Sequence, residues 1–193
     1  MNNIIKTRRE LKDWLSYEKK LYHLKWYDIL TCNENWVIWK YIRLLRYCEY
    51  YKNSGKIINQ FLFVIARVKK NHLGIKLGFA IGENCIGRGF LIHHYGYVVI
   101  NGESKIGINF QLHGCNCIGN NGLDMECPVI GDNVELGVGV NVIGNVSIAN
   151  DSIVGSNATV VKNCEEENGI YIGSPAKLSR YKNTKSDAEE HAL

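Results

Sequence analysis

The sequence predicts a mainly β protein: a left-handed parallel β-helix built from hexapeptide repeats and preceded by an α-helical N-terminal region. An aliphatic residue occupies every sixth position from residue 130 to 160, and the same phase continues upstream to residue 100. A period of six fits neither the 3.6-residue repeat of a helix nor the two-residue repeat of a strand, whereas a hexapeptide repeat is typical of a parallel β-helix. Because stacked coils bury one continuous core, the repeated residues should point inward. They are Ile100, Ile106, Leu112, Ile118, Ile130, Leu136, Val142, Ile148, Val154 and Val160.

Two interruptions of the repeat predict irregular coils. Upstream of these residues the phase slips by two, which gives an earlier set of Ile86, Ile92 and Val98. The repeat position at 124 falls in a polar segment, residues 120–127, which we interpret as a loop leaving one corner. Since three hexads would close one triangular coil, the β-helix is expected to cover about five coils between residues 79 and 173.

The first 70 residues differ in kind from the repeat. They hold all four tryptophans and a single glycine, and their apolar residues recur at helical spacing. That glycine, Gly55, suits the end of one helix, and residues 57–70 predict another. We therefore divide the chain into a helical region over residues 1–74, the β-helix over 75–180 and a polar tail over 181–193.

Composition and charge indicate the cellular compartment and the classes of binding partner. Residues 1–70 carry 15 Lys and Arg against 6 Asp and Glu, whereas the remaining residues carry 8 against 13. A basic region can attract an anionic substrate, a membrane surface or nucleic acid, but solvated helix faces beside an acidic β-helix explain it more simply. Seven cysteines without the spacing of a secreted domain, no signal peptide and no transmembrane segment indicate a cytoplasmic protein. No nucleic acid partner is expected.

Three segments resemble the serine acetyltransferase family of hexapeptide-repeat acyltransferases. They are residues 86–100, with the stretch Ile-His-His-Tyr-Gly, residues 127–137, and residues 172–177, which are similar to the G-x-P-A-[KR] close of these enzymes. The resemblance covers about residues 72–180, and the N-terminal helices resemble those of short members associated with capsule and lipopolysaccharide gene sets. It implies transfer of an acetyl group from acetyl-CoA to a hydroxyl, by a homotrimer whose sites lie between adjacent β-helices.

His94 aligns with the catalytic histidine of that family, and its chemistry suits the role. Acyl transfer to an alcohol needs a base for the hydroxyl proton, and an imidazole ordinarily titrates near working pH. The family's orienting aspartate stands fifteen residues earlier, where this chain has Phe79, so Glu83 or a backbone carbonyl would have to hold the imidazole. His93 stands where the serine enzyme has an acidic residue. Without these two carboxylates an ammonium group lacks a partner, which favours a sugar hydroxyl over serine as the acceptor.

The resemblance and the length of a coil supply the other candidate site residues. One coil plus the two-residue slip is about twenty residues, so His94 should lie over Gly114, with His113 close by. The candidate acceptor-binding residues are His93, His113 and, on the loop, Asp124 and Glu126. The resemblance assigns acetyl-CoA to Val138 and Ser156 beside the pantetheine arm, Val161 and Lys162 near the nucleotide, and Lys177 and Arg180 at the phosphates.

Other functions stay open at this point. Serine O-acetylation in cysteine biosynthesis is the alternative within the same chemistry, and an amine of a nucleotide sugar could replace the hydroxyl. His93, His94 and His113 also suggest the zinc site of β-helices that resemble γ-class carbonic anhydrases, but their spacing does not match, and no metal is expected. A third possibility is a non-catalytic scaffold, against which the retained His94 and the C-terminal basic residues argue.

Overall fold

Three α-helices open the structure, a computed structural model that describes residues 4–182. They are α1 (Arg8–Leu21), α2 (Glu34–Asn53) and α3 (Ile57–Leu77), with a 3₁₀ turn at Trp26–Asp28 between the first two. The third helix ends three residues beyond the predicted boundary at 74. None of the helices in the described part of the chain is long and apolar enough to cross a membrane. Most of the predicted polar tail, from residue 183 on, lies outside the described residues.

Short strands follow, and all of them pair in parallel except the last, which runs antiparallel to its neighbour. Within residues 4–182 they are β1 (Phe79–Ile81), β2 (Leu91–Ile92), β3 (Val98–Ile100), β4 (Lys105–Ile106), β5 (Gln111–Leu112), β6 (Asn116–Gly119), β7 (Val129–Ile130), β8 (Glu135–Leu136), β9 (Asn141–Ile143), β10 (Ser147–Ile148), β11 (Ile153–Val154), β12 (Thr159–Val160), β13 (Gly169–Ile172) and β14 (Lys177–Tyr181).

The strands wind into three sheets that form the sides of a coil. The first sheet contains β1, β3, β6, β9 and β12, the second β4, β7 and β10, and the third β2, β5, β8, β11, β13 and β14. Successive strands visit the sheets in turn, so that β6 returns beside β3 after one circuit, with Ile100 opposite Ile118. A helical start followed by parallel strands wound into three sheets confirms this part of the predicted fold.

The repeated aliphatic residues line the inside of the coil. All ten of them are at most 4% exposed, and the small or branched residues four positions after each start in 130–154 are buried as well. The interruptions also fall where the repeat predicts them. Ile92 lies opposite Leu112, twenty residues on, whereas Leu112 lies opposite Leu136, twenty-four residues on, because the loop at 120–127 adds six residues to that circuit.

A buried ionic cluster joins the helices to the first coil. The Arg46 guanidinium on α2 donates to the carboxylate of Glu18 on α1, with a shortest distance of 2.7 Å, and to that of Glu49 at 2.9 Å. All three side chains are almost completely buried. The Trp14 ring covers the guanidinium at 4.8 Å. Burial raises the pKa of Glu49, although the positive charge of Arg46 opposes this shift.

The same cluster satisfies the backbone of the coil. Arg46 donates to the carbonyls of Ile86 and Gly87 at 2.9 and 2.7 Å, while Glu18 accepts from the amides of Gly89 and Phe90 at 3.1 and 3.2 Å. An unpaired buried backbone group costs free energy, so these bonds fix how the helices sit on the coil. The helices and the β-helix are consequently joined by specific polar bonds as well as by apolar packing.

Candidate active site

His94 lies at a corner of the coil, just after β2 leaves the third sheet. We call the stacked turns that join the third sheet to the first the His94 corner (residues 93–97, 113–115, 137–140, 155–158 and 173–176). The next turn brings Gly114 against His94, since a Cβ on this glycine would lie 3.1 Å from the His94 carbonyl oxygen. Gly114 also has a φ of +112°, which side chains disfavour. The predicted stacking of His94 over Gly114 is confirmed, and the imidazole is 63% exposed.

The helical region supplies a carboxylate to this histidine. Nδ1 of His94 lies 3.3 Å from Oε2 of Glu34, and the Tyr95 amide donates to the other carboxylate oxygen at 2.9 Å. Glu34 is the first residue of α2, and the Asn33 side chain caps the helix by accepting from the Asn35 amide at 2.9 Å. Sequence reasoning missed Glu34, because it stands sixty residues before His94 and belongs to no motif.

Phe79, at the position of the family's aspartate, and Glu83, suggested as its substitute, both lie elsewhere in the structure. Phe79 is buried in the core and packs edge-on against Tyr41 on α2, with ring centroids 5.1 Å apart. Glu83 accepts from the buried Lys70 ammonium at 2.7 Å. Burial would raise the pKa of Glu83, but the hydrogen bond and the charge of Lys70 outweigh it and hold the pKa below its usual value. The suggestion that Glu83 holds the imidazole is therefore wrong, because its carboxylate is committed to Lys70.

A polar row runs down the outer face of the third sheet next to His94. His93 pairs through Nε2 with the Gln111 carboxamide oxygen at 3.1 Å and stacks face to face on His113, with centroids 4.2 Å apart. Nε2 of His113 lies 2.7 Å from the Glu135 carboxylate. Burial lowers the pKa of His93, which favours its neutral form. His93 thus lies next to His94, and His113 contacts His93 and the next coil.

The loop residues Asp124 and Glu126 lie at another corner of the same chain. The loop leaves the first sheet after Gly119 and enters the second at Val129, whereas His94 lies between the third sheet and the first. We call the turns that join the first sheet to the second the loop corner (residues 101–104, 119–128, 144–146 and 161–163). Asp124 accepts from the Asn121 amide group at 3.0 Å and from the Glu126 backbone amide at 3.1 Å, so its carboxylate holds the loop together. Within one chain these two acids are not brought to His94.

Two of the predicted acetyl-CoA residues follow His94 down its own corner. The Gly139 amide donates to the Gly114 carbonyl at 3.0 Å, and the Asn157 amide donates to the Val138 carbonyl at 2.8 Å. Val138 and Ser156 are therefore successive steps of the stack that begins at His94. Gly137 is needed for this close approach, because a Cβ there would lie 2.7 Å from the Ser156 amide nitrogen.

The other predicted acetyl-CoA residues lie in three places. Lys177 begins β14 directly after Ala176, whose amide donates to Thr159 at 2.8 Å, so it stands at the foot of the His94 corner. Arg180 lies opposite Ile170, toward the far end of that strand pair. Val161 and Lys162 follow β12 at the loop corner. A single chain therefore brings Val138, Ser156 and Lys177 into line with His94, but not the remaining three.

The structure also shows how the side chains suggested for a zinc site, those of His93, His94 and His113, are arranged. Among residues 4–182 no three His, Cys, Asp or Glu side chains are grouped so that they could hold a metal ion. The stacked rings of His93 and His113 lie 8° from parallel and bond to different partners, Gln111 and Glu135. Zinc needs three or four ligands converging on one point, an arrangement these rings do not make.

Known proteins resemble this chain in sequence. No family model matches it. A candidate colanic acid biosynthesis acetyltransferase, WcaB of Escherichia coli K12, is 38% identical over 94 residues, which is 48% of this chain and 57% of that protein. A serine acetyltransferase of Staphylococcus aureus is 29% identical over 128 residues, covering 65% of this chain and 60% of its own. The chain spans about half the length of the curated relatives it matches.

Solved structures of serine acetyltransferases share the fold. That of Neisseria gonorrhoeae has a TM-score of 0.72 at 18% identity and covers 95% of this chain and 72% of its own. The soybean apoenzyme has a TM-score of 0.70 at 19% identity and covers 89% and 69%. Fold and relatives together confirm the resemblance to the serine acetyltransferase-like hexapeptide-repeat acyltransferases. Within that class, the relatives include both a protein named for colanic acid synthesis and enzymes named for serine.

Proposed function

We propose that this protein is an acetyl-CoA-dependent O-acetyltransferase that acetylates a sugar hydroxyl in a surface polysaccharide or its precursor. The observation that carries the proposal is the His94 corner, where an exposed histidine heads a column of stacked turns that ends at Lys177. The name of the WcaB relative supports a polysaccharide acceptor. In the described residues all seven cysteines are free, which suits the cytoplasm, the compartment we propose for the protein.

In the proposed reaction His94 is the general base. Its unprotonated ring nitrogen accepts the proton of the acceptor hydroxyl while the oxygen bonds to the carbonyl carbon of the thioester. The carbon–sulfur bond then breaks, and His94 returns the proton to the sulfur of coenzyme A. An imidazole suits both steps because it can accept and release a proton near neutral pH.

The His94 corner offers a path for the extended arm of acetyl-CoA. Adjacent strands lie about 4.8 Å apart, so the four steps from the turn at His94 to the turn before Lys177 span about 19 Å. The thioester would lie at His94, the pantetheine arm along Val138 and Ser156, and the phosphates near Lys177. Arginine and lysine favour phosphate through charge-assisted hydrogen bonds, and we propose that Arg180, three residues further along β14, helps to hold the phosphates.

Replacing both Lys177 and Arg180 by alanine should raise the KM for acetyl-CoA and leave kcat nearly unchanged. Contacts with phosphates remote from the thioester stabilise the ground state and the transition state alike, so their loss appears in KM. The measurement is a thiol-release assay with acetyl-CoA and with acetyl-pantetheine, and the double variant should discriminate less between the two.

A double variant of two exposed lysines on α1, Lys12→Ala and Lys19→Ala, is the control, because it removes the same charge from another surface. Equal KM values for acetyl-CoA in the two double variants would show that Lys177 and Arg180 do not contact the phosphates.

We further propose that the coil is left-handed and that the active unit is a homotrimer. The loop corner carries Asp124, Glu126, Val161 and Lys162, so a neighbouring subunit that places its loop corner against the His94 corner would complete the cleft. Three such contacts close a ring under cyclic symmetry. The exposed face of α3 supports an assembly, since large exposed apolar patches mark interaction sites. The large apolar residues of α3 that are more than half exposed are Ile57, Ile58, Phe61, Val64, Ile65, Val68 and Ile75.

The polar row beside His94 supports a sugar acceptor. His93 and Gln111 offer neutral hydrogen-bonding groups, which suit hydroxyls. Although they bond to each other, each keeps a second neutral group, the other ring nitrogen of His93 and the amide NH₂ of Gln111. The nearby carboxylates of Glu34 and Glu135 each already contact a histidine, His94 and His113 respectively. A serine ammonium buried there without a carboxylate of its own would lose several kcal/mol.

Serine O-acetylation is the second candidate, favoured by the relatives that are named serine acetyltransferases. We expect kcat/KM for at least one nucleotide sugar or oligosaccharide to exceed that for free serine by about 10²-fold or more, because a site matched to one polar pattern rejects ligands that leave groups unpaired. Thiol release with a panel of serine, simple sugars, nucleotide sugars and oligosaccharides measures this ratio. If serine equals or exceeds every carbohydrate, serine is the acceptor.

A further inference from the structure

We propose that Glu34 is the positioning residue of the catalytic histidine, so that the helical N-terminal region completes the active site. The inference rests on the proposed function, in which His94 is the base. Its two contacts place the Glu34 carboxylate between the imidazole, at 3.3 Å, and the Tyr95 amide, at 2.9 Å. Glu34 thereby supplies the orienting carboxylate that this chain lacks at Phe79, the position of the family's aspartate.

The contact fixes which ring nitrogen of His94 carries the proton. An ionised carboxylate can only accept hydrogen bonds, so a bond to Glu34 requires the proton on Nδ1. Nε2 then has a free lone pair, which is the state a general base needs. The proton lies on Nδ1 because the Glu34 carboxylate can only accept and because Nδ1 is the ring nitrogen nearest to it.

Several features hold the Glu34 carboxylate in place. The Tyr95 amide holds one oxygen, and the backbone of Glu34 opens α2, where the helix dipole stabilises a negative charge. Further along the same helix, Arg46 is bonded to the first coil through Ile86 and Gly87. Helix α2 is thus attached to the coil at both its start and its middle, so the distance from Glu34 to His94 depends on rigid elements.

Glutamine at position 34 should be more harmful than alanine. In Glu34→Gln the carboxamide oxygen can still accept from Tyr95, but the amide group presents a donor to Nδ1 of His94. That donor favours the opposite tautomer, with the proton on Nε2, in which the ring cannot accept the hydroxyl proton. Glu34→Ala leaves the ring free to adopt either tautomer. A wrong tautomer lowers kcat by up to about 10⁴-fold in a histidine held by a carboxylate.

The experiment combines kinetics with ¹⁵N NMR of labelled histidine, the His94 signals being assigned by their loss in His94→Ala. We expect Glu34→Gln to lower kcat by about 10²–10⁴-fold, Glu34→Ala by less and Glu34→Asp least, with unchanged KM for acetyl-CoA. We also expect the Nδ1-protonated form in the wild type and the Nε2-protonated form in Glu34→Gln. The matched control is Glu167→Gln, an exposed glutamate that accepts one bond from Asn150 and should change neither readout.

The two readouts separate this proposal from the proposed function. If the wild type transfers no acetyl group to any acceptor, the proposed function fails, and the NMR comparison still tests the contact. If the wild type is active but Glu34→Gln keeps both its kcat and its tautomer, Glu34 does not position the base. Equal losses of kcat in Glu34→Gln and Glu34→Ala, with the tautomer unchanged, would show a merely structural role and would also overturn the proposal.

Discussion

His94→Ala should lower kcat for acetyl transfer by about 10²–10⁴-fold while leaving the affinity for acetyl-CoA nearly unchanged. A positioned general base contributes about this much to a rate, because without it the hydroxyl must lose its proton to water as it attacks. The imidazole is exposed at the head of its corner, so its removal leaves no buried cavity. The effect should therefore fall on catalysis and not on folding.

The measurement is the thiol-release rate at saturating acetyl-CoA, together with calorimetric binding of coenzyme A. His72→Ala on α3 is the control, since His72 is another exposed histidine and lies outside the candidate site. Wild-type kcat in His94→Ala, on an acceptor that the unmodified protein acetylates, would assign the base to another residue. Loss of coenzyme A binding would instead point to a role in holding the cofactor arm.

The hexapeptide repeat predicts the coil well because each core position is fixed by its spacing from the neighbouring positions in the sequence. An aliphatic residue at every sixth position decides which side chains face the core, and a missed position such as 124 indicates a loop. Counting residues along the coil also places His94 over Gly114, a contact that the structure confirms. The coil, its core and the stacking of His94 over Gly114 therefore follow from spacing, whereas the roles of Val138 and Ser156 come from the family resemblance.

The contacts between the helices and the coil could not be predicted in this way. Glu34 and Arg46 both lie in α2, which has no fixed spacing relative to the coil, so their partners sixty and forty residues away leave no periodic signal. The sequence also does not show which residues of neighbouring chains meet in an assembly. The resemblance assigns Asp124 to the acceptor pocket and Lys162 to the nucleotide of acetyl-CoA, but one chain holds both at the loop corner, away from His94. Only an assembly could bring them to the same cleft.

Replacing Arg46 by alanine should lower the free energy of unfolding by about 3–5 kcal/mol. Removing one partner of a buried ion pair leaves an uncompensated charge in the interior, and this change leaves two, those of Glu18 and Glu49. Urea unfolding followed by tryptophan fluorescence, at one fixed protein concentration, measures the loss. Arg67→Ala is the matched control, because this arginine is 53% exposed and lies 3.5 Å from Glu83, so it should cost at most about 1 kcal/mol.

An apolar side chain should not rescue the Arg46 position. Apolar groups can replace some buried ion pairs at little cost, but here the pair also serves the backbone. Arg46→Met would leave the carbonyls of Ile86 and Gly87 unpaired in the interior, at about 1–3 kcal/mol each. We therefore expect Arg46→Met to be destabilised nearly as much as Arg46→Ala. Full recovery in Arg46→Met would mean that the cluster contributes little beyond filling space.

The pH dependence of Arg46→Ala gives an independent check on the charges. Burial already raises the pKa of Glu49, and Arg46 is the main group that opposes this shift, so its removal should raise the pKa further. A carboxyl group whose pKa is higher in the folded state than in the unfolded state binds its proton more tightly when folded. Folding stability then falls as the pH rises above the unfolded value of about 4.5. The variant should therefore lose more stability relative to the wild type at pH 8 than at pH 5, and an equal loss at both values would show that Glu49 carries no buried charge.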